Sequence, residues 1–140
     1  MPALDGTCTP WYIGGVRTCR LLLEEDKRSA AQALCSALAC ELSVVDGEPV
    51  WQKQNRRVFQ VDMPDFHYRI LEEVGALSGS SPEALLRSWI EEYARESAEG
   101  GAAKVAKIEE RCRLIVEWQS LGFTGKESDL KHFALRLAGV

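Results

Sequence analysis

The sequence predicts an α+β, mostly helical fold: short N-terminal strands and a helix, then a strand–helix–helix unit, then two C-terminal helices. Three observations carry this reading. Residues 56–63 (RRVFQVDM) alternate between apolar and polar with a period of two, the mark of a half-buried strand. Residues 65–77, 82–97 and 102–121 repeat apolar side chains at three- and four-residue steps, the mark of amphipathic helices. Pro64, Ser81-Pro82 and Gly100-Gly101 sit between these segments as stops and starts.

Residues 1–15 mix Pro, Gly, Thr and aromatics and read as an irregular lead-in. Residues 16–23 (VRTCRLLL) alternate in part and read as a strand, with Leu21, Leu22 and Leu23 also suited to opening a helix. Residues 27–42 are rich in Ala, and Ala30, Ala33, Leu34, Ala37, Leu38 and Leu42 recur at helical steps, which predicts a helix. Asp46-Gly47 is a turn signal flanked by 43–45 and Val50-Trp51, which suggests a short hairpin.

In the strand at 56–63, Phe59, Val61 and Met63 share one face with Arg57. Arg56, Val58, Gln60 and Asp62 share the other. Phe66, Ile70, Leu71, Val74 and Leu77 form the stripe of the next helix. Ser81 is a good N-cap for its successor, and Pro82 suits the first helical position because its missing N–H needs no partner there. Leu85, Leu86, Trp89, Ile90 and Tyr93 follow as a stripe. Val105, Ile108, Cys112, Ile115 and Trp118 mark the clearest helix, with Gly122 as its C-terminal cap. Thr124 and Glu127 resemble a capping box before a last helix at 125–138.

The chain has 140 residues, 46% hydrophobic and 27% charged. That composition suits one globular domain and excludes a disordered or collagen-like chain. Residues 1–140 read as one compact domain with three sub-units: a small α/β unit at 16–51, the strand–helix–helix at 56–98 and a helical pair at 102–138. The formal net charge of -4 argues against a polybasic nucleic-acid or membrane binder. The only basic cluster, Lys53, Arg56 and Arg57, lies on or just before the strand. No stretch is apolar enough to span a bilayer, and residues 1–15 lack the basic start of a signal peptide, so a cytoplasmic protein without membrane partners is expected.

Cys8, Cys19, Cys35, Cys40 and Cys112 are odd in number and irregular in spacing, unlike a secreted disulfide framework. Cys35 and Cys40, five apart, are poorly spaced for two ligands on one helix face, and no metal or cofactor is expected. Cys112 reads as core, Cys8 and Cys19 as exposed thiols, and His67 as a surface or half-buried histidine.

Residues 56–98 resemble a ribbon-helix-helix module, a family in which two chains pair short strands into a DNA-reading ribbon above four helices. The resemblance rests on the alternating strand, the two amphipathic helices and the Gly-Ser turn between them. It implies a homodimer in which Arg56 and Gln60 read bases, Lys53 and Arg57 touch the DNA backbone, and the helix start at Ser81 faces a phosphate. Asp62 departs from this pattern by placing a carboxylate on the DNA face. The same strand can instead form one edge of an intramolecular sheet with 16–23 and 43–51, covered on one face by helices.

No nucleophile elbow, phosphate-binding loop, zinc-protease motif or nucleotide fingerprint occurs, and the acidic pairs such as Glu72-Glu73 read as solvated helix faces. No catalytic residue is therefore expected. Trp11, Tyr12 and Trp51 lie outside the helix stripes and are candidates for a protein interface. The sequence predicts a non-enzymatic binding protein: a small protein–protein interaction or adaptor module with a regulatory role, engaging another protein or its own copy as a homodimer. The alternatives are a homodimeric ribbon-helix-helix transcriptional regulator that binds DNA, and a small enzyme of unrecognised class.

Overall fold

The computed structural model describes residues 15–45, 56–120 and 127–139. Among these residues the strands are β1 (Val16–Glu24), β2 (Glu41–Val44) and β3 (Arg56–Pro64). The helices are α1 (Arg28–Ala37), α2 (Asp65–Ser78), α3 (Pro82–Glu99), α4 (Ala102–Ser120) and α5 (Glu127–Ala138). A single 3-10 turn, Glu25–Lys27, joins β1 to α1. This is the α+β order read from the sequence.

The three strands form one antiparallel sheet in the order β1-β3-β2. The strand expected at an edge is therefore the centre. β3 pairs with β1 along its whole length, from Val16 opposite Pro64 to Glu24 opposite Arg56. On its other side it pairs with β2, from Glu41 opposite Asp62 to Val44 opposite Phe59. The expected hairpin at 43–51 is replaced on its first arm by this pairing of β2 with β3; its second arm lies outside the described residues.

Period-two alternation splits the sheet into two faces. Cys19, Leu21 and Leu23 of β1 and Phe59, Val61 and Met63 of β3 are buried on one face, with Leu42 and Val44 of β2 partly buried beside them. Helices α1, α2 and α3 pack on this face, while α4 rests on those three and α5 on α2. The other face, with Thr18, Arg20, Ser43, Gln60 and Asp62, carries no helix among the described residues. There Thr18 Oγ1 donates to Asp62 Oδ1 at 2.7 Å. The outer helix layer closes through aromatics: Trp118 stacks on Phe133 at 4.6 Å, and Trp89 and Trp118 are both buried.

Helix α1 stops five residues short of its expected end at Leu42. The stop is a Schellman motif: the Cys40 N–H donates to Cys35 C=O at 2.8 Å and the Ala39 N–H to Ser36 C=O at 3.3 Å. Ala39 takes the left-handed conformation (φ 56°) that glycine usually supplies. Alanine's high helix propensity hid this end, and sheet pairing of Glu41 and Leu42 overrode it. Helix α2 ends the same way with Gly79 at φ 74°, and the Ser80 N–H donates to Gly75 C=O at 2.8 Å. Ser81 caps α3 by accepting from the Ala84 N–H at 3.1 Å, with Pro82 next, as expected. The caps expected at Gly122 and Thr124 lie outside the described residues.

Two substitutions test these helix ends. Ala39→Gly relieves left-handed strain and is expected to stabilise the protein by about 0.5–1 kcal/mol in urea unfolding; destabilisation would contradict the left-handed cap. Gly75→Ala should destabilise by about 1–3 kcal/mol despite alanine's better propensity, because a Cβ there collides with the Ser80 carbonyl oxygen. A neutral or stabilising result would mean that the α2–α3 corner is looser than this.

Candidate functional site

The phase of each ladder follows from one flanking bond. The Asp65 N–H donates to Gly15 C=O and the Val45 N–H to Val58 C=O, both at 3.0 Å. Hydrogen-bonded pairs alternate along antiparallel strands. In β2, the backbone groups of Glu41 and Ser43 therefore face β3, and those of Leu42 and Val44 face outward. In β1, the odd-numbered residues bond β3, and Val16, Thr18, Arg20, Leu22 and Glu24 direct their N–H and C=O groups outward.

The outer edge of β2 does not face plain solvent. It forms one lip of a groove of about 680 Å³ whose other lip is α1. Leu42 and Val44 line it from the sheet, and Ser29, Gln32 and Ala33 from the helix. The groove exists because α1 presents small side chains here, leaving a gap between helix layer and sheet edge. Glu25, Asp26 and Arg28 close one end. Glu25 sits between two guanidinium groups, Arg28 at 2.5 Å and Arg57 at 2.6 Å. The Arg28 hydrogen bond leads in holding its carboxyl below the ordinary carboxylate range.

A sheet edge with outward N–H and C=O groups beside an apolar groove accepts an extended chain. The added strand bonds the edge and places alternate side chains in the gap. Sequence reasoning missed this site because it extended α1 across Leu42. The signal was the alternation in Glu41-Leu42-Ser43-Val44, overshadowed by the alanines before it.

The residues expected at a DNA ribbon do not converge. Both edges of β3 are occupied within the chain, which leaves this strand no edge for a ribbon with a second chain. Arg56 and Gln60 lie on the helix-free face, as the alternation implied. Arg57 points to the other face and pairs with Glu25. Ser81 Oγ is engaged in capping α3. Lys53, Trp11, Tyr12, Trp51 and Cys8 lie outside the described residues.

The buried thiols form an unexpected cluster. The Schellman turn brings Cys40 back beside Cys35, and Cys112 and Cys19 lie near enough that a thiolate at any of them would further oppose ionisation of Cys40. Cys19, expected to be exposed, is buried. Burial comes first in raising its thiol to about 12, with Glu83 adding to it; burial likewise takes Cys35 and Cys112 to about 12. Cys40 Sγ donates to Leu38 C=O at 3.4 Å. These thiols are protonated at neutral pH and act as small apolar groups. Among the described residues no group of three or more His, Cys, Asp or Glu is placed to hold a metal ion. No described helix is long and apolar enough to cross a membrane.

His67 corrects another expectation: it is 0% exposed. Its ring faces the Leu38 carbonyl, yet neither ring nitrogen makes a hydrogen bond of proper geometry. The cause is its place in the first turn of α2, where it shares a buried face with Leu71 and Val74. Burial pushes its pKa down to about 4.

The sign of the pH effect follows. Between about 4 and 6.5 the unfolded chain binds a proton that the folded chain refuses. Stability is full above the upper value and falls as pH drops toward the lower one, by about 3 kcal/mol at most. Urea unfolding of wild type and His67→Phe at several pH values across this window checks it. The variant should lose most of the acid-side decline; the same slope in both proteins would contradict a buried neutral imidazole.

Comparison with known proteins assigns no family to this fold: no family model, no curated protein and no solved structure matches the chain.

Proposed function

We propose that this protein is a non-enzymatic protein–protein interaction module that takes up an extended peptide segment of a partner along the outer edge of β2. The observation that supports the reading is the coincidence of that edge with the α1 groove. Leu42 and Val44 offer outward backbone groups where the apolar gap opens. An added strand gains main-chain hydrogen bonds from the edge and selectivity from the gap. The lining favours apolar residues at alternate peptide positions.

Proline scanning of β2 separates binding from folding. Val44 directs its N–H outward, so Val44→Pro removes a docking donor and obstructs an added strand without breaking a bond to β3. Ser43→Pro breaks a bond to β3 and should destabilise the sheet. The probe is an immobilised set of ten-residue peptides with Val or Leu at alternate positions. Wild type should retain a subset, and Val44→Pro should weaken that binding about tenfold or more with circular dichroism unchanged. Retention of no peptide, or equal retention by wild type and Val44→Pro, would overturn the proposal.

A further inference from the structure

His67 is fully buried, and neither of its ring nitrogens has a hydrogen-bond partner. A neutral imidazole carries one donor and one acceptor, so the fold leaves both unmet at a cost. The ring faces the corner between α1 and β2, residues 38–40, at the Leu38 carbonyl. The same oxygen accepts from Cys40 Sγ at 3.4 Å. One carbonyl thus joins the imidazole, the thiol and the corner. The two sides of this contact differ in strength. On the α2 side Phe66, Ile70 and Leu71 are buried and anchor the helix. On the corner side Ala39 is held at φ 56°, and β2 beyond it has four residues, with Leu42 and Val44 only partly buried. Local opening begins where little apolar surface is buried and the backbone is strained.

We propose that His67 is an acid-operated latch: when its imidazole takes up a proton, the corner at residues 38–40 swings off the ring and β2 parts from α1. A charged imidazole without an anionic partner must reach water. None is at hand in the closed form. The titratable groups around the corner are Cys35 of α1, Cys19 of β1, Cys112 of α4 and Asp62 of β3, which act on Cys40. On the imidazole itself the governing influence is burial, opposed by the Leu38 carbonyl, and no described charged side chain of α3, α4, α5, β1 or β3 joins them. Within α2, Asp65 is engaged with Arg17 at 2.8 Å, and Phe66 stands edge-on to the ring at 6.1 Å. The first turn of α2 adds the positive end of a helix dipole, which also disfavours a cation. Opening the corner turns the Leu38 carbonyl away and admits water to the ring, while the rest of α2 stays packed. The groove under α1 needs the corner closed, because α1 and β2 are its two lips. Acid opening therefore dismantles the docking site, and a bound peptide opposes it; this consequence rests on the peptide-docking reading, whereas the latch itself does not.

Amide exchange of the full chain at about pH 7 and about pH 5, with intrinsic rates divided out, tests the latch without any peptide. The Cys40 N–H, which donates to Cys35 C=O, reports the corner, and the Leu21 N–H, which bonds β3, reports the core. In wild type the Cys40 amide should be less protected than that of Leu21 and indifferent to low urea. Its protection should fall about twentyfold between the two pH values, because the open corner binds a proton that the closed one refuses. His67→Phe, or His67→Leu if the larger ring misfolds, should abolish that fall. A Cys40 amide whose protection does not change with pH would show that the corner does not uncover the ring. One that matches Leu21 in protection and in urea dependence would show that the ring is uncovered only by global unfolding. Either result overturns the inference, as does an undiminished fall in the variants.

Discussion

The structure depends on β3 being hydrogen-bonded on both sides. A strand of nine residues carries backbone donors and acceptors along both edges, and leaving a buried row unpaired is costly. Here β1 takes one row and β2 the other. Phe59, Val61 and Met63 are all fully buried beneath the helices as a consequence. The N-terminal α/β segment and the strand–helix–helix segment are thereby interleaved. β3 enters between two strands that precede it, and α1 is placed over the sheet together with the helices that follow. Removing that pairing would strand the core face of β1 as well as that of β3.

Satisfying the centre leaves, among the described residues, the outward backbone groups of the sheet on its two rims. The inward residues are buried in β1 and partly buried in β2, so each strand presents its outer backbone groups from a packed base, which suits binding better than a mobile loop does. The rims differ in what surrounds them. β2 is short and borders an apolar gap under α1, which suits a side chain entering from an added strand. β1 is long and borders Arg87 and Glu91 of α3. The helix-free face mixes Arg20, Gln60, Thr18, Ser43, Asp62 and Glu41, and its Thr18–Asp62 bond offsets part of its polarity. It gives no concentration of one charge.

Much of the fold was legible. The α+β order, the faces of residues 56–63, the Ser81-Pro82 helix start and the burial of Trp89, Cys112 and Trp118 all follow from periodicity and capping chemistry, which are local. The failures were nonlocal. The end of α1 depends on a left-handed alanine, a conformation that composition does not announce, and on sheet pairing with residues twenty positions away in the chain. The burial of His67 and Cys19 depends on what packs over them. The centrality of β3 could not be read from its own pattern, because a half-buried strand alternates alike at an edge or in the middle. The site was hidden by the same error as the helix end: once Leu42 is assigned to α1, the outer edge of β2 disappears. The thiol cluster was hidden because spacing of five is wrong for a helix face but right for a Schellman turn.

Amide hydrogen exchange across β2 and β3 in dilute protein tests the central claim most directly. With β3 in the middle, the consecutive amides of residues 58–62 should all exchange slowly. In β2 the Ser43 amide should be slow and those of Leu42 and Val44 fast. Alternating fast and slow amides along β3 would show that it has an open edge. The sheet order would then be wrong, and with it the placement of the β2 docking edge.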